Sequence, residues 1–160
     1  MNTAYLILGT NKGDKPRNLL QAVDLIASNA GAVIKKSDIF LTAPWGNTNQ
    51  PDFYNQAICI QTSLSAATLL KELLAVEQLL GRKRTGEKWA ERTMDIDILF
   101  YNDEIINDPD LKIPHPFMSE RKFVLAPMAQ LAPDFIHPVL KKNIRTMLAA
   151  CIDKLEVVKQ

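Results

Sequence analysis

The chain alternates between short apolar runs typical of β-strands and longer segments in which apolar residues recur at helical spacing. Residues 4–8, 53–62 and 93–101 are runs of strand type, and residues 33–41 form a further strand-like segment. A helix is expected to begin at about Pro16, because the apolar residues after it fall at positions 19, 22, 23 and 26. Strands and helices should therefore alternate along the chain, as in an α+β or α/β sandwich.

The second half of the chain carries three further helical segments. Ser65 is a suitable N-cap for a helix that runs to Leu80 and is closed by Gly81. A short helical segment is expected over residues 119–128, and a C-terminal helix over residues 144–155 with the helically spaced residues Ile144, Met147, Leu148, Cys151, Ile152 and Leu155. One sheet with helices packed on it is the expected architecture.

Length and composition favour a single domain that spans residues 1–160, since 47% of the residues are hydrophobic and the chain is too short for two comfortable cores. The formal net charge is only +1, which does not point to a nucleic-acid or acidic-membrane partner. Cys59 and Cys151 lie far apart inside apolar stretches without metal-ligand spacing, as expected for reduced core residues and not for a disulfide or zinc site. The N-terminal apolar run stops at Gly9, and no stretch is long enough to span a membrane, so we expect a soluble, cytoplasmic protein.

Two aspartates at alternate strand positions, Asp95 and Asp97, are the strongest chemical signal in the chain. Side chains at i and i+2 of a strand project from one face, so the two carboxylates should converge while Ile96 and Ile98 enter the opposite, apolar side. Hard oxygen ligands of this kind suit Mg²⁺ bound together with phosphate oxygens. The alternative is an exposed strand face with two solvated aspartates.

A basic segment leads directly into these aspartates and contains Arg82, Lys83, Arg84, Lys88 and Arg92 together with Trp89. Cations and carboxylates at one end of a strand are the charge arrangement of phosphoryl transfer, in which electrostatic stabilisation and positioning do most of the work. A solvated surface loop is the alternative for the basic residues. Trp89 could cover a ligand or fold back onto the core. Since no glycine-rich phosphate-binding motif is present, ATP would have to be bound by side chains and metal.

Two further titratable residues are ambiguous from the sequence. His115 lies between two prolines, a stiff setting that could aim its imidazole at a ligand, although such a histidine can equally be structural. Glu77 follows Leu73 by four residues and therefore lies close to the apolar side of its helix, where a carboxylate needs a partner. It could equally sit at the solvated edge of that side.

Several motifs in order along the chain resemble the 6-hydroxymethyl-7,8-dihydropterin pyrophosphokinase family. They are the residues at 8–11, 42–46, 50–55, 81–82 and 89, 92–99, 114–116 and 121–127. The resemblance implies an α+β, ferredoxin-like fold with a mainly antiparallel sheet. It also implies a diphosphokinase that transfers pyrophosphate from ATP to the pterin alcohol in folate synthesis, giving AMP, with two Mg²⁺ ions as cofactors and Asp95 and Asp97 as metal ligands. No residue stands out as the general base.

The resemblance also implies a role for individual residues at the two substrate sites. The pterin would lie between the rings of Phe53 and Phe123, with its polar edge bound by Asn55 and by the backbone at Thr42, Ala43 and Trp45. The positions implied to hold ATP are Arg84, Trp89, Arg92, Ile98, His115 and Arg121. Arg82 and Arg92 would close over the phosphates during the reaction. A monomer that binds only small molecules, and neither nucleic acid nor membrane, is expected.

Some positions depart from the family pattern, and two other functions remain open. Ala90 and Glu91 replace the usual Gly-Pro, and Asp110 and Lys112 replace residues that assist nucleotide binding in some members. Another Mg²⁺-dependent nucleotidyltransferase would explain the paired aspartates but not the aromatic pair with Asn55. A nucleic-acid-binding module on a similar sheet would explain exposed aromatics but not the clustered carboxylates beside the basic segment.

Overall fold

The computed structural model describes residues 1–42, 51–81 and 93–160. The elements in chain order are β1 (Asn2–Thr10), α1 (Lys15–Asn29), β2 (Ala32–Lys36), β3 (Phe40–Thr42), β4 (Phe53–Thr62), α2 (Ala66–Leu79), β5 (Asp95–Tyr101), β6 (Ile106–Asn107), β7 (Lys112–Ile113), a 3₁₀ turn (Met118–Glu120), α3 (Lys122–Leu131), α4 (Ile144–Ala150) and β8 (Val157–Lys159).

The main sheet has the strand order β5-β1-β4-β3-β8, and β2 also pairs with β4. Every strand pair in the described part of the chain is antiparallel. Strand β4 is central, because it pairs with β1 along nine residue pairs on one side and with β2 and β3 in succession on the other. The predicted antiparallel sheet with packed helices is confirmed.

Both faces of the sheet are covered by helices, and each face has its own hydrophobic core. Leu6 and Leu8 of β1 belong to a cluster with residues of α1 and α2, which we call the α1/α2 face. Ile7 belongs to a second cluster with residues of α3 and α4, the α3/α4 face. The alternation of side chains along β1 thus divides the sheet between two helical layers.

Helix boundaries follow local capping chemistry. The side chain of Asp14 accepts a hydrogen bond from the backbone N–H of Arg17 at 3.3 Å, and Ser65 accepts one from Thr68 at 3.2 Å. Gly81 follows α2 with a φ of +88°, in the left-handed region that glycine adopts without steric cost. The predicted starts near Pro16 and Ser65 and the predicted stop at Gly81 are therefore confirmed.

The strand-like segment at residues 33–41 is divided into β2 and β3, which corrects the prediction of one strand. The division falls at Ser37, whose backbone N–H donates to the carbonyl of Ala57 at 2.8 Å while its Oγ accepts the N–H of Ala57 at 2.9 Å. A side chain thus replaces one ladder bond here, and the register also shifts within β2. Non-local pairing to β4 causes the interruption, which is why periodicity did not predict it.

The C-terminal segment is also different from the prediction. Helix α4 ends at Ala150 instead of continuing to Leu155, and the chain then forms β8, which pairs with β3. Asp153 accepts the backbone N–H of Lys122 at 3.0 Å, so the segment after α4 is bound to the start of α3. This tertiary contact is made in place of a continuation of α4 beyond Ala150.

Two smaller predictions concern cysteines and membranes. Cys59 and Cys151 are both free, as expected, but only Cys59 is fully buried and Cys151 is half-buried. Within the described residues, none of the helices combines the length and apolarity needed to cross a bilayer.

Candidate functional site

One end of the sheet brings the chemically distinctive residues of three strands together. Gly9, near the end of β1, pairs with Asn55 of β4 on one side and with Asp95 of β5 on the other. Neighbouring strands lie about 4.8 Å apart, so the backbones of Asn55 and Asp95 are roughly 10 Å apart across Gly9. The residues predicted as metal ligands and the predicted pterin-binding amide therefore lie at the same end of the sheet.

The side chains of Asn55 and Phe53 cover Gly9. A β-carbon built on Gly9 would lie 2.9 Å from Oδ1 of Asn55 and 3.7 Å from Cδ1 of Phe53. The first distance is shorter than van der Waals contact allows, so the asparagine amide can approach the β1 backbone only because residue 9 has no side chain. Because residue 9 is glycine, the backbone of β1 itself forms the surface beneath the Asn55 amide.

Asn55 places a buried hydrogen-bond donor next to the β1 backbone at Gly9. The residue is 2% exposed, and among the described residues its Nδ2 has no hydrogen-bond partner. A buried donor without a partner costs on the order of 1–3 kcal/mol. Such a group is expected where a ligand supplies the missing acceptor.

Aromatic and cationic groups lie at the start of α3, the helix that packs on β4. Phe123 lies in the first turn of α3 and packs against the core of the α3/α4 face, and α3 itself packs on β4. The guanidinium of Arg121 lies 5.8 Å from the ring centre of Phe123 and 5.3 Å from that of Phe117. Arg121 has extended backbone between the 3₁₀ turn and α3, which divides the helix predicted over residues 119–128.

Asp95 and Asp97 project from the sheet as the alternation predicts. Both are partly exposed, whereas Ile96 and Ile98 are buried in the core of the α1/α2 face. Burial lowers the pKa of Arg121, and the charges of Asp97 and then Asp95 oppose that effect. The guanidinium remains charged at neutral pH and so offsets part of the repulsion between the two carboxylates.

His115 is directed towards the same carboxylates. Its Nε2 lies 3.9 Å from Oδ2 of Asp97, and its Nδ1 accepts the backbone N–H of Phe117 at 3.3 Å. The backbone N–H of His115 donates to the carbonyl of Leu99 at 3.1 Å. Burial lowers the pKa of His115 to about 4, Arg121 adds to this effect, and the nearby Asp95 only partly opposes it. The imidazole is therefore neutral at pH 7, and the bond at Nδ1 leaves its proton on Nε2.

The donor set at this site fits Mg²⁺ better than a metal bound entirely by protein. Asp95 and Asp97 offer two carboxylates on one face, and no group of three or more His, Cys, Asp or Glu side chains within residues 1–42, 51–81 and 93–160 could hold a metal ion. Mg²⁺ is commonly bound by one or two carboxylates, with water and substrate phosphates completing its shell. The residues present therefore fit a metal that arrives with a nucleotide.

Glu77 has a partner at this same strand. Its side chain is buried in α2 with 2% exposure, and its Oε2 accepts the backbone N–H of Ile96 at 2.7 Å. Of the two alternatives left open by the sequence, the buried and partnered carboxylate is correct. The partner could not be found by periodicity, because it lies on another element.

A cavity of about 660 Å³ lies on the α1/α2 face, between α2 and the turn from β6 to β7. Its apolar lining includes Leu70, Leu74 and Leu111, and Asp108 and Asp110 also line it. Leu70 and Leu111 pack on the same core cluster as Ile98. Sequence reasoning missed this cavity, because its two walls come from segments about forty residues apart and neither has a distinctive motif.

The remaining predicted residues divide between described and undescribed segments. Thr42 is buried, pairs with Phe53 and donates its hydroxyl to the carbonyl of Glu156 at 3.4 Å. The predictions for Ala43, Trp45, Arg82, Arg84, Trp89 and Arg92 fall on residues that lie outside the described ranges.

Comparison with known proteins gives a consistent family. A family model described as 7,8-dihydro-6-hydroxymethylpterin-pyrophosphokinase (HPPK) matches residues 5–133. A 2-amino-4-hydroxy-6-hydroxymethyldihydropteridine pyrophosphokinase of Methylorubrum extorquens is 43% identical over 137 residues, which cover 85% of this chain and 86% of the relative. One of the same name from Bacillus subtilis is 44% identical over 131 residues, covering 81% of this chain and 78% of the relative.

Solved structures agree on the fold. The crystal structure of wild-type Plasmodium falciparum HPPK-DHPS superposes with a TM-score of 0.75 at 18% identity, covering 92% of this chain and 44% of that one. The chain thus spans less than half the length of that protein. At this identity the likeness supports the fold alone.

Proposed function

Since the chain belongs to the 7,8-dihydro-6-hydroxymethylpterin-pyrophosphokinase family, we propose that the end of the sheet around Gly9 is its active site. The protein transfers pyrophosphate from ATP to the hydroxymethyl group of hydroxymethyldihydropterin in folate biosynthesis. The observation that carries the site assignment is the pairing of Gly9 with both Asn55 and Asp95. This arrangement puts a group suited to the pterin next to groups suited to metal-bound phosphate.

The pterin is proposed to bind on the α3/α4 face, over Gly9. The buried Nδ2 of Asn55 lacks an acceptor among the described residues, and a pterin ring offers one at its polar edge. Phe53 and Phe123 supply flat apolar surfaces for the heteroaromatic ring. Thr42, paired with Phe53, and the neighbouring Ala43 and Trp45 are assigned to the polar edge of the ring by the family resemblance.

ATP is proposed to cross the open edge of β5. Asp97 faces the α3/α4 side of the sheet, whereas Ile98 faces the α1/α2 side, so one ligand that contacts both must pass around the strand. In the described part of the chain no second strand pairs with this edge of β5, and the bonds from Glu77 and His115 reach it at Ile96 and Leu99, on either side of Ile98. The cavity beside α2 is large enough for a purine base and has the apolar walls that a base favours. The triphosphate would then reach Asp95, Asp97, His115 and Arg121.

The chemical step is the attack of the pterin hydroxyl on the β-phosphorus of ATP. A bond forms between the hydroxymethyl oxygen and the β-phosphorus, the bond to the oxygen that bridges the α- and β-phosphorus breaks, and AMP leaves with that oxygen. The proton of the hydroxyl is released to solvent. Asp95 and Asp97 would hold Mg²⁺, two ions being expected, and bound Mg²⁺ supplies charge neutralisation on the phosphates. The protein itself orients nucleophile and phosphorus, and positioning together with electrostatic stabilisation accounts for most of the catalysis in such transfers.

His115 is assigned to phosphate binding and not to general-base catalysis. A base needs a free lone pair, but Nδ1 of His115 already accepts the N–H of Phe117, and Nε2 carries the proton. The neutral imidazole can donate from Nε2 to a phosphate oxygen. Arg121 supplies positive charge beside it, while Arg82, Arg84, Trp89 and Arg92 keep the nucleotide-binding roles that the family resemblance implies. The protein is further proposed to be a monomer and to act in the cytoplasm.

The site assignment is tested with ATP, Mg²⁺ and 6-hydroxymethyl-7,8-dihydropterin by following the nucleotide products chromatographically. Wild type should form AMP in step with pterin pyrophosphate. Asp97→Asn should reduce the rate at least a hundredfold, because it removes one of two metal-binding charges from the chemical step. The matched control is Asp103→Asn, which alters an exposed aspartate just after β5 and should leave the rate within twofold. Comparable rates for both variants would refute the assignment.

A further inference from the structure

Glu77 is a buried carboxylate that the proposed reaction does not use. It belongs to the buried side of α2, together with Leu73 and Val76. Burial of a carboxylate is unfavourable unless it is paired and hydrogen-bonded, so a residue needed only for packing at this position would be apolar. Its 2.7 Å bond to the N–H of Ile96 is therefore the feature that requires an explanation.

The bond from Glu77 is made on the side of β5 that no second strand covers in the described part of the chain. Strand β5 pairs with β1 on one side, and within the described residues no second strand pairs with its other side. An edge strand whose outward N–H groups lack partners is free to bend or bulge. The N–H of Ile96 belongs to the peptide that joins Asp95 to Ile96, and Asp97 is the next residue. Glu77 thus holds one of the two peptide planes that join the proposed metal ligands.

We propose that Glu77 is a positioning residue for the reaction, an inference that rests on the proposed roles of Asp95 and Asp97. By fixing the peptide at Ile96, it keeps β5 in the regular pleat in which residues 95 and 97 project from the same face. A tilt of this peptide would turn the two carboxylates apart. A carboxylate is suited to this task because charge-assisted bonds to N–H groups are shorter and stronger than neutral ones.

The main test compares Glu77→Leu with Glu77→Gln. The leucine variant matches the volume but has no acceptor, so amide hydrogen exchange at Ile96 should accelerate at least tenfold. Its kcat should fall at least tenfold, with the KM for the pterin within twofold. The affinity for Mn²⁺, measured by electron paramagnetic resonance with a non-hydrolysable α,β-methylene ATP analogue, should fall at least fivefold. The glutamine variant retains a side-chain oxygen acceptor and should restore kcat to within about threefold of wild type.

Controls separate this inference from the proposed site. Glu72→Leu makes the same change on α2 at a partly exposed position, and it should alter none of these quantities more than twofold. Asp97→Asn tests the site itself: if that variant stays active, the proposed function of the aspartates fails whatever Glu77 does. If Asp97→Asn is inactive but Glu77→Leu keeps wild-type kcat and Mn²⁺ affinity, the positioning role is refuted. Glu77→Ala carries the same expectations should the leucine variant not fold, and failure of both to fold would make Glu77 a purely structural residue.

Discussion

Oδ1 of Asn55 occupies the space directly above the backbone of Gly9, 2.9 Å from where a β-carbon on that glycine would lie. The clash would be with the end of a side chain and not with backbone. A larger residue at position 9 could therefore be accommodated by turning the amide of Asn55 away. The fold would be little affected, but the donor proposed for the pterin would be displaced.

Gly9→Ala should consequently weaken pterin binding selectively. We expect the dissociation constant of the pterin to rise at least tenfold, because the Asn55 amide loses its position, while the affinity for the ATP analogue stays within twofold. Isothermal titration calorimetry with each ligand measures both, and a thermal melt should show only a small loss of stability. Unchanged pterin affinity would mean that Asn55 does not bind the ring.

Protonation of His115 should make the ligand-free protein less stable in mild acid. The folded pKa of about 4 is below the ordinary value of 6.5, so between these values the unfolded chain binds the extra proton and the folded chain does not. This contribution is therefore fully present above pH 6.5 and is lost as the pH falls towards 4. A shift of this size corresponds to at most about 3 kcal/mol.

Urea unfolding between pH 7 and pH 4 measures this dependence. The free energy of unfolding of His115→Gln should decline less steeply with falling pH than that of wild type, because the variant lacks this imidazole. The carboxylates titrate in both proteins. The sequence has only two histidines, so NMR of the ring protons assigns each from one variant. His137, whose pKa burial also lowers, is the internal comparison. A measured pKa at or above 6.5 for His115 would contradict the neutral imidazole.

Filling the cavity beside α2 should impair nucleotide binding. Leu74 lines the cavity, and Leu74→Trp would occupy the space proposed for the base. We expect the KM for ATP to rise at least tenfold, with the KM for the pterin within twofold. Ala75→Trp places the same ring on an exposed position of α2 outside the cavity and serves as the control. Equal effects of both tryptophans on ATP would argue against the cavity as the base site.

Asp153 should stabilise the end of α3 that carries Arg121 and Phe123. Arg121, at the N-cap, makes no capping bond with its own side chain, and Asp153 instead accepts the N–H groups of Lys122 and Leu155 at 3.0 Å each. Asp153→Ala should cost about 1 kcal/mol, the usual value of a lost cap, and lower Tm by roughly 2–4 °C. Asp153→Asn retains an acceptor and should recover about half of this loss in differential scanning calorimetry. An unchanged Tm in the alanine variant would show that the cap contributes nothing.

Local pattern was sufficient for much of the fold and for part of the site. The strand at residues 53–62, the start and end of α2 and the opposed faces of Asp97 and Ile98 follow from side-chain alternation, capping and glycine conformation. These features depend on residues within a few positions of one another, so they can be predicted from neighbours in the chain. The order of the motifs along the chain was also sufficient to recognise the family, because that recognition requires no knowledge of which residues are in contact.

Only the tertiary structure determined which distant residues meet. The bond from Glu77 to Ile96, the approach of Asn55 to Gly9, the end of α4 at Ala150 and the strand β8 each depend on elements far apart in sequence. Periodicity shows that a residue is buried but not what it is buried against. Local pattern thus set most of the elements and the chemistry they carry. Packing of the sheet and helices decided the division of β2 from β3, the presence of β8 and which groups share a site, because such contacts are set by the whole chain.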